Sequence, residues 1–412
     1  MKQRTVLFTF FLTSCIFLCS TSMRAQLTPV IASDKNQVFW QGNASLLSTA
    51  LPIEISSKFI YGGFITDEMK TNGLAKHKAN NFVGIEGAAS IQYLSKTGKF
   101  FGFNNGFWGA AIGTKALSFN NYSNDLFNLV FFGNEPTAGT ELNFDNNNFQ
   151  TQWYHELNFT AGAIFDNIGS GKLHVSLNPG LLAGVKYQRI NLEQASLLTA
   201  ASGESIAASM KGNYAESDTS HTGPSPQSIG GKLDLNLLYE TEKIKIGFSV
   251  TDFGWIGWNT TVNYDLDSSF TFNGFAVDDV FNIQDTLLNA ASLQDSLLSN
   301  NPQQLTKRLP AAFQLYYEQI FADQIIWKNW VQYRTVPNYL PFVMTQINYQ
   351  LADFTGGISA AYGGYGGFQT GIVLAYDFEV LKVELGTTNV LGFLGAKSQT
   401  SQNAFGRIAH QF

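Results

Sequence analysis

The sequence predicts an all-β fold, a transmembrane antiparallel β-barrel of about 14 strands within a range of roughly 12–16, with short helical inserts. Three observations predict it. The chain of 412 residues is poor in charge (14%) and rich in aromatic residues (14%), yet its mean hydropathy is −0.04. Long segments alternate between apolar and polar residues. Residues 1–25 have the composition of an export signal.

Charge content, mean hydropathy and net charge together exclude three classes of protein. A disordered chain is polar and highly charged, with few aromatic rings. A helical membrane bundle contains long uninterrupted apolar spans and has a much higher mean hydropathy. A nucleic-acid-binding protein is basic, whereas this chain has a formal net charge of −6. A large all-β protein, either soluble or embedded in a membrane, remains.

Residues 1–25 are predicted to be a signal peptide, because a short positive start is followed by an apolar run and by Ala25 at the expected cleavage point. Residues 12–15 also resemble a lipoprotein box, which would place a lipid on Cys15. Cleavage after Ala25 removes both cysteines and changes the net charge from −6 to −9, since three basic residues and no acidic residue are lost. The exported chain then has no disulfide and no cysteine-ligated metal.

Alternation with a period of two is the main structural signal, because successive side chains of a strand point to opposite faces. It is clearest at 82–93, 152–165 and 172–188, and shorter stretches follow at 232–239, 243–250, 343–351 and 381–385. The first three exceed the about 9–11 residues that a tilted transmembrane strand needs. Their second face is polar or charged, which is typical of a barrel with lipid outside and a wet lumen. The terminal Phe412 and aromatic residues near strand ends fit interfacial girdles.

Two segments test this interpretation. Residues 354–376 carry no charge and are long enough for a membrane helix, but they contain seven glycines, and each costs roughly 1 kcal/mol in a helix interior. Residues 363–367 are therefore predicted to be a hairpin turn between two strands. Pro179 interrupts a strong strand and cannot donate to a ladder, so a β-bulge is expected there.

Helices, loops and turns are predicted between the strands of a single barrel domain over residues 26–412. Helical inserts are expected at 122–133 and 277–300, a loop at 215–228, and a periplasmic or plug segment at 26–50. Tight turns are predicted near 95–98, 166–171, 240–243 and 351–353. Their spacing does not assign which loops face outward.

Candidate chemical motifs do not carry a catalytic, cofactor or metal site. Residues 169–172 (GSGK) lack the remaining residues of a phosphate loop, and residues 252–254 (DFG) lack the other kinase motifs. The five histidines lack metal-ligand spacing. Glu86, Glu156 and Lys186 lie on polar strand faces and are predicted to face the lumen, as solvated or paired groups or as substrate contacts.

Three short motifs resemble an outer-membrane barrel family of Bacteroidota that is known only as a domain of unknown function. They are the predicted helix within 123–134, the segment 252–258 (DFGWIGW) and the segment 387–393 (TTNVLGF). This family is distantly similar to fatty-acid-transporter-like barrels, some of which carry small hydrophobic molecules and one branch of which serves type IX secretion. Such barrels commonly open with Asn-Pro-Ala, where this chain has Gly42-Asn43-Ala44. The resemblance supplies no catalytic residues.

The sequence therefore leaves two main hypotheses for a protein of the cell outer membrane. The first is a non-enzymatic barrel with a structural or secretion-associated role, whose partners would be outer-membrane lipid and secretion-system components. The alternative is a transporter of small hydrophobic molecules, with such a molecule as its ligand. A membrane-embedded enzyme and a soluble exported β-protein are the remaining alternatives. No nucleic-acid partner and no cofactor are expected.

Overall fold

The computed structural model describes residues 36–100, 102–217, 228–272, 303–395 and 397–412. Over these residues, 17 strands form one antiparallel sheet that closes on itself, because β17 pairs with β1 from Gln37↔Gln411 to Leu47↔Ser401. Three strands, β4, β7 and β10, pair only with parts of the long strands β6 and β9, so the barrel wall has 14 strands. The predicted fold class and strand number are confirmed. The strands are β1 (Gln37–Ser48), β2 (Asn80–Thr97), β3 (Gly106–Ser123), β4 (Glu141–Asn143), β5 (Asn148–Ile168), β6 (Gly171–Thr199), β7 (Ile206–Ser217), β8 (Ile229–Glu240), β9 (Ile244–Phe272), β10 (Gln303–Arg308), β11 (Ala312–Ala322), β12 (Ile325–Arg334), β13 (Leu340–Leu351), β14 (Phe354–Gly364), β15 (Phe368–Asp377), β16 (Leu381–Thr387) and β17 (Ser401–Gln411).

The two ends of the barrel differ in the length of their connections. At the short-turn end, few residues join β5 to β6, β8 to β9, β11 to β12, β13 to β14 and β15 to β16, and Asn36 and Phe412 lie there too. The four tight turns predicted near 95–98, 166–171, 240–243 and 351–353 all lie at this end. The opposite end, the long-loop end, carries the helices and the hairpin turn at 363–367.

The wall alternates as the sequence predicts, with its apolar face outward. Ile112, Leu181 and Ile358 are 60%, 69% and 68% exposed, while their neighbours along each strand point into the barrel. A contiguous apolar outer surface of this kind is typical of a wall that contacts lipid. Among the described residues, no helix is both long enough and apolar enough to cross a bilayer.

One strand changes face in the middle, and the cause is a β-bulge at Val185. The β5–β6 register shifts between Trp153↔Lys186 and Tyr154↔Gly184, which leaves Val185 unpaired. Pro179, where the bulge was predicted, instead keeps the register of β6 with β8 opposite Leu233. The prediction of a bulge at Pro179 is therefore wrong. A strand face reverses when a single residue is inserted, so the residues after Val185 point opposite to the predicted direction.

Three helices form a cap over the long-loop end: α1 (Ile53–Tyr61), α2 (Asp67–Leu74) and α3 (Asn124–Phe132). We call them the helical cap. The α3 helix lies within the predicted insert at 122–133, and its N-cap Ser123 accepts a hydrogen bond from the backbone N–H of Leu126. Ile55 and Phe127 are buried between the helices and the barrel mouth. A fourth short helix, α4 (Val390–Phe393), precedes β17.

The structure corrects one predicted segment, the plug, and leaves three others wholly or mostly outside the described residues. Residues 37–48 of the expected plug segment form β1 in the barrel wall, so the plug prediction is wrong for that part. The plug prediction fails there because side chains of this stretch alternate between the two faces of a strand. Phe39 and Asn43 point inside, and β1 completes the ladder with β17. The signal peptide and the helical insert at 277–300 lie outside the described residues, as does most of the loop at 215–228.

His77 ties the helical cap to the barrel mouth. Its Nδ1 lies 2.7 Å from the Gly73 carbonyl oxygen and its Nε2 lies 2.9 Å from the Tyr122 hydroxyl. Because a carbonyl only accepts, Nδ1–H donates to Gly73, and in the neutral ring Nε2 accepts from the Tyr122 hydroxyl. The ring also packs 3.9 Å from Phe127. Burial lowers the pKa of His77, and the hydrogen bond to Gly73 opposes this only in part.

We expect the helical cap to loosen as the pH falls. Since the pKa of His77 is lower in the folded protein than its ordinary value of about 6.5, its contribution to stability is complete above that value. The contribution is lost as the pH falls below it toward the folded pKa. Protease cleavage within residues 49–79 should therefore rise between about pH 8 and about pH 5. The variant His77→Gln should lose most of this pH dependence, and an equal dependence in both proteins would contradict the assignment.

A close packing contact inside the barrel gives a test of the fold. Gly162 lies against the Phe107 ring, and a Cβ added there would overlap the ring atoms. Gly162→Ala should lower the free energy of unfolding by about 1–3 kcal/mol, as overpacking of a core does, measured by urea unfolding in detergent micelles. Gly231→Ala is the matched control, because its nearest neighbouring atom lies 3.7 Å away. Equal effects at the two positions would refute the packing described here.

Candidate functional site

The interior side chains form layers along the barrel axis. From the long-loop end, β2 presents Phe82, Glu86 and Ser90 in turn, and the neighbouring strands follow the same order. On β3 and β5 an aromatic or apolar residue (Leu117, Tyr154) precedes a charged one (Lys115, Glu156), and small or neutral polar residues (Ala111, Asn158) follow. An apolar layer, a charged layer and a polar cavity therefore succeed one another below the helical cap.

The charged layer is a buried network of two lysines and three carboxylates: Lys115, Glu156, Lys232, Asp234 and Asp252. The Lys232 Nζ lies 2.8 Å from Glu156, 3.1 Å from Asp234 and 3.1 Å from Asp252. The Lys115 Nζ lies 2.6 Å from Asp252 and 3.7 Å from Glu156. The Asp252 backbone N–H donates to Asp234 Oδ1 at 2.7 Å. Such a network persists only because each buried charge has partners.

A further ion pair crosses the lumen. The Arg334 guanidinium on β12 lies 3.0 Å from the Glu86 carboxylate on β2, and both side chains are buried. Around the 14-strand wall, β2 is the second strand and β12 the ninth, so the two residues come from opposite sides. A barrel of eight strands is already just filled by its side chains. Contact across 14 strands therefore requires a flattened cross-section, and the pair closes the lumen at this level.

A small cavity lies directly below the charged layer, on its short-turn side. Its volume is about 110 Å³, and we call it the lumen cavity. Its lining combines charged, amide and hydroxyl side chains: Gln41, Ser90, Gln92, Lys115, Glu156, Asn158, Thr160, Ser176, Asn178, Lys232, Asp234, Asn236 and Thr251, with Phe107 and Ala111. This lining suits a polar or charged occupant.

The outer wall carries a second concavity at the same height, the outer hollow, with a volume of about 570 Å³. Its lining is mostly apolar or small: Trp40, Ala89, Ser90, Ile91, Ile112, Gly113, Thr114, His155, Glu156, Leu157, Leu181, Leu182 and Ala183. Ser90 and Glu156 line both the outer hollow and the lumen cavity. At Gly113 a Cβ would lie 3.1 Å from Glu156 Oε1, so the missing side chain keeps the wall thin there.

The strands β1 and β2 meet at a seam that crosses the outer hollow. Their described residues share one ladder position, Ser48↔Val83, near the long-loop end. Near the short-turn end the Ser95 hydroxyl donates to Asn36 Oδ1 at 2.9 Å. In contrast, β1 pairs along its whole length with β17. Backbone ladder bonds hold neighbouring strands together, and among the described wall strands the seam has the fewest ladder positions.

The three residues predicted to face the lumen are not brought together. Glu86 and Glu156 are buried inside the barrel, the first in the cross-lumen pair and the second in the charged layer. Lys186 is paired in register with Trp153, which alternates with the buried Gln152 and Tyr154, and so it points outward. The prediction for Lys186 is wrong because the bulge at Val185 reverses the strand face.

Most of the charged layer was missed by sequence reasoning. The sequence alternation places Lys232 and Asp234 on a polar strand face, but it assigns no role to Lys115, Asp252 or Arg334. A usable signal was present, because charged residues within membrane-spanning strands are rare and need partners. The segment 252–254 was weighed only as a kinase motif, whereas Asp252 adopts a left-handed φ of 58° within β9 and is buried beside two lysines.

Comparison with known protein families gives a match over most of the chain. A model of the Family of unknown function (DUF5723) matches residues 56–387, well over half of the chain. This match confirms the predicted resemblance to a family of unknown function. None of the curated protein sequences matches the chain.

Solved barrels resemble the chain distantly. The toluene transporter TodX of Pseudomonas putida is 9% identical, with 92% of this chain and 88% of that chain covered and a TM-score of 0.40. The toluene transporter TbuX of Ralstonia pickettii is 10% identical, with 92% and 90% covered and a TM-score of 0.42. The translocator domain of the autotransporter NalP from Neisseria meningitidis is 9% identical, with 99% and 96% covered and a TM-score of 0.34.

The cross-lumen pair should show strong energetic coupling. Arg334→Met leaves the Glu86 carboxylate buried without its partner, and we expect a loss of about 3–5 kcal/mol in the free energy of unfolding. Adding Glu86→Gln should restore a large part of that loss, because the double variant buries no unpaired charge. Urea unfolding of both single variants and the double variant completes the cycle. Additive effects would show that the two side chains do not interact.

Proposed function

The chain belongs to the Family of unknown function (DUF5723), and from its geometry we propose that it is a non-enzymatic outer-membrane barrel that transports small hydrophobic molecules. The route we propose runs through the wall, from the bilayer to the lumen at the β1–β2 seam. One observation carries the proposal: the outer hollow, which reaches across the seam to Trp40 on β1, and the lumen cavity lie on opposite sides of the wall and share Ser90 and Glu156.

The outer hollow suits the entry or exit of an apolar molecule. Its side chains Ile91, Ile112, Leu157 and Leu181 are each at least 41% exposed on the outer wall. Its floor is formed by small residues, so a hydrocarbon group from the bilayer can approach the thin part of the wall. The helical cap and the charged layer obstruct the axial route, which makes a lateral route the shorter one between membrane and lumen.

The placement in the cell outer membrane rests on the wall and its connections. The outer face is apolar, every wall strand except β16 reaches the about 9–11 residues that span a bilayer, and one end has short turns while the other has long loops. In barrels of that membrane the short turns are periplasmic. We therefore propose that the helical cap faces the outside of the cell.

A structural or secretion-associated scaffold is the second candidate function. The observation that favours it is the closure of the lumen by the charged layer and the cross-lumen pair, since a scaffold needs no open path. The two candidates differ in one respect that can be measured: the transporter requires the seam to part, and the scaffold does not.

A disulfide across the seam tests the transporter. Extending the antiparallel register of Ser48↔Val83 places Gly42 opposite Ala89, and both positions face outward. Gly42→Cys with Ala89→Cys, in a chain without Cys15 and Cys19, should form a disulfide and abolish uptake of radiolabelled fatty acid or toluene into proteoliposomes. A reductant should restore the uptake, because it frees the two strands again.

The matched control is a disulfide between strands that are already paired. Ala44→Cys with Ala404→Cys joins β1 to β17 at a ladder position and should leave uptake unchanged. Uptake that persists with the seam disulfide formed would overturn the lateral route. A folded wild-type protein that takes up no more than protein-free vesicles would overturn transport and favour the scaffold.

A further inference from the structure

The lumen cavity has a charge imbalance that points to a specific kind of occupant. We propose that it binds one small monovalent cation, either an inorganic ion or an ammonium group, held by oxygen atoms of the charged layer and the cavity lining. This site lies inside the closed barrel and does not require transport through the seam.

The charges around the cavity do not cancel. The charged layer contains two lysines, Lys115 and Lys232, and three carboxylates, those of Glu156, Asp234 and Asp252. The adjacent pair of Glu86 and Arg334 is balanced within itself. With all five side chains ionised, the local sum is one negative charge in excess. A buried charge without a counterion is costly, so a positive occupant of the cavity stabilises the layer.

The excess positive charge around Glu318 does not balance this one. Lys245 and Lys328 lie 3.4 Å and 3.2 Å from Glu318, where β9, β11 and β12 adjoin. None of these three residues lines the lumen cavity. Lys232, by contrast, is shared among three carboxylates, so none of them has a cation of its own.

The cavity also presents oxygen atoms that lack hydrogen-bond partners. They are the side-chain oxygens of Gln41, Asn158 and Thr251, which are buried and line the cavity. Above them, the Tyr154 hydroxyl is fully buried among the charges of Asp252, Glu156 and Lys232, again without a partner. Neutral and anionic oxygens are the ligands that hard cations prefer.

The size of the cavity limits the occupant. A volume of about 110 Å³ exceeds the about 30 Å³ that a water molecule takes in the liquid, and it accommodates a partly hydrated ion or a methylammonium. Two lysines at the cavity wall disfavour a divalent cation, because its second charge would exceed the local imbalance. A single positive charge matches the excess.

Asp234→Asn gives the sharpest test, because it removes the excess carboxylate charge while keeping an oxygen that can accept from the Asp252 N–H. We expect the urea midpoint of the wild-type protein in neutral detergent to rise with the logarithm of Na⁺, K⁺ or methylammonium concentration, relative to N-methylglucamine at equal ionic strength.

Titration calorimetry with the same chlorides should give a stoichiometry of about one. Asp234→Asn should lose both responses. The ranking of the three cations distinguishes an inorganic ion from an ammonium group.

Glu240→Gln is the control variant, because it neutralises an interior carboxylate that pairs with His174 and does not line the cavity. It should keep the full cation response. A midpoint that is the same in all four chlorides would overturn the proposal and show that a proton neutralises the layer instead. A response of equal size in Asp234→Asn would also overturn it, since the binding would then lie elsewhere.

Discussion

The structure depends on one constraint: charges that point into a wide barrel must find partners across it. Among the described residues, Lys115, Lys232 and Arg334 are all buried, and their carboxylate partners come from four strands of the wall. An isolated buried ion of this kind would oppose folding strongly. The charged layer therefore couples strands that are distant in the ladder. The apolar layer above it and the lumen cavity below it take their positions from it.

The strand pattern could be predicted from the sequence because the period of two is a local property. Segments 82–93 and 152–165 alternate without interruption, and the structure places their polar faces inside. Lys186 could not be assigned in the same way, because one unpaired residue at Val185 reverses everything after it. The local sequence does not identify Val185 as the position of a bulge. Pro179, which cannot donate to the ladder, is the more obvious candidate, yet the register stays intact there.

The site was less predictable than the fold, because it is made by contacts between residues far apart in the chain. Glu86 and Arg334 are brought together only by the closure and flattening of the whole barrel. The seam is likewise a property of the assembled wall, since β1 completes its ladder with the last strand and shares a single ladder position with β2. A periodicity indicates which residues face inward and does not indicate which of them meet.

The flattened cross-section described for the cross-lumen pair has a mechanical consequence. For a wall of fixed perimeter, an ellipse encloses less area than a circle. Movement apart of the two strands that carry Arg334 and Glu86 makes the barrel rounder, and so the protein occupies more area in the plane of the membrane. The separation then does work against the lateral pressure of the surrounding lipid. The ion pair and the bilayer press in the same direction, and the packing of the membrane contributes to holding the lumen shut.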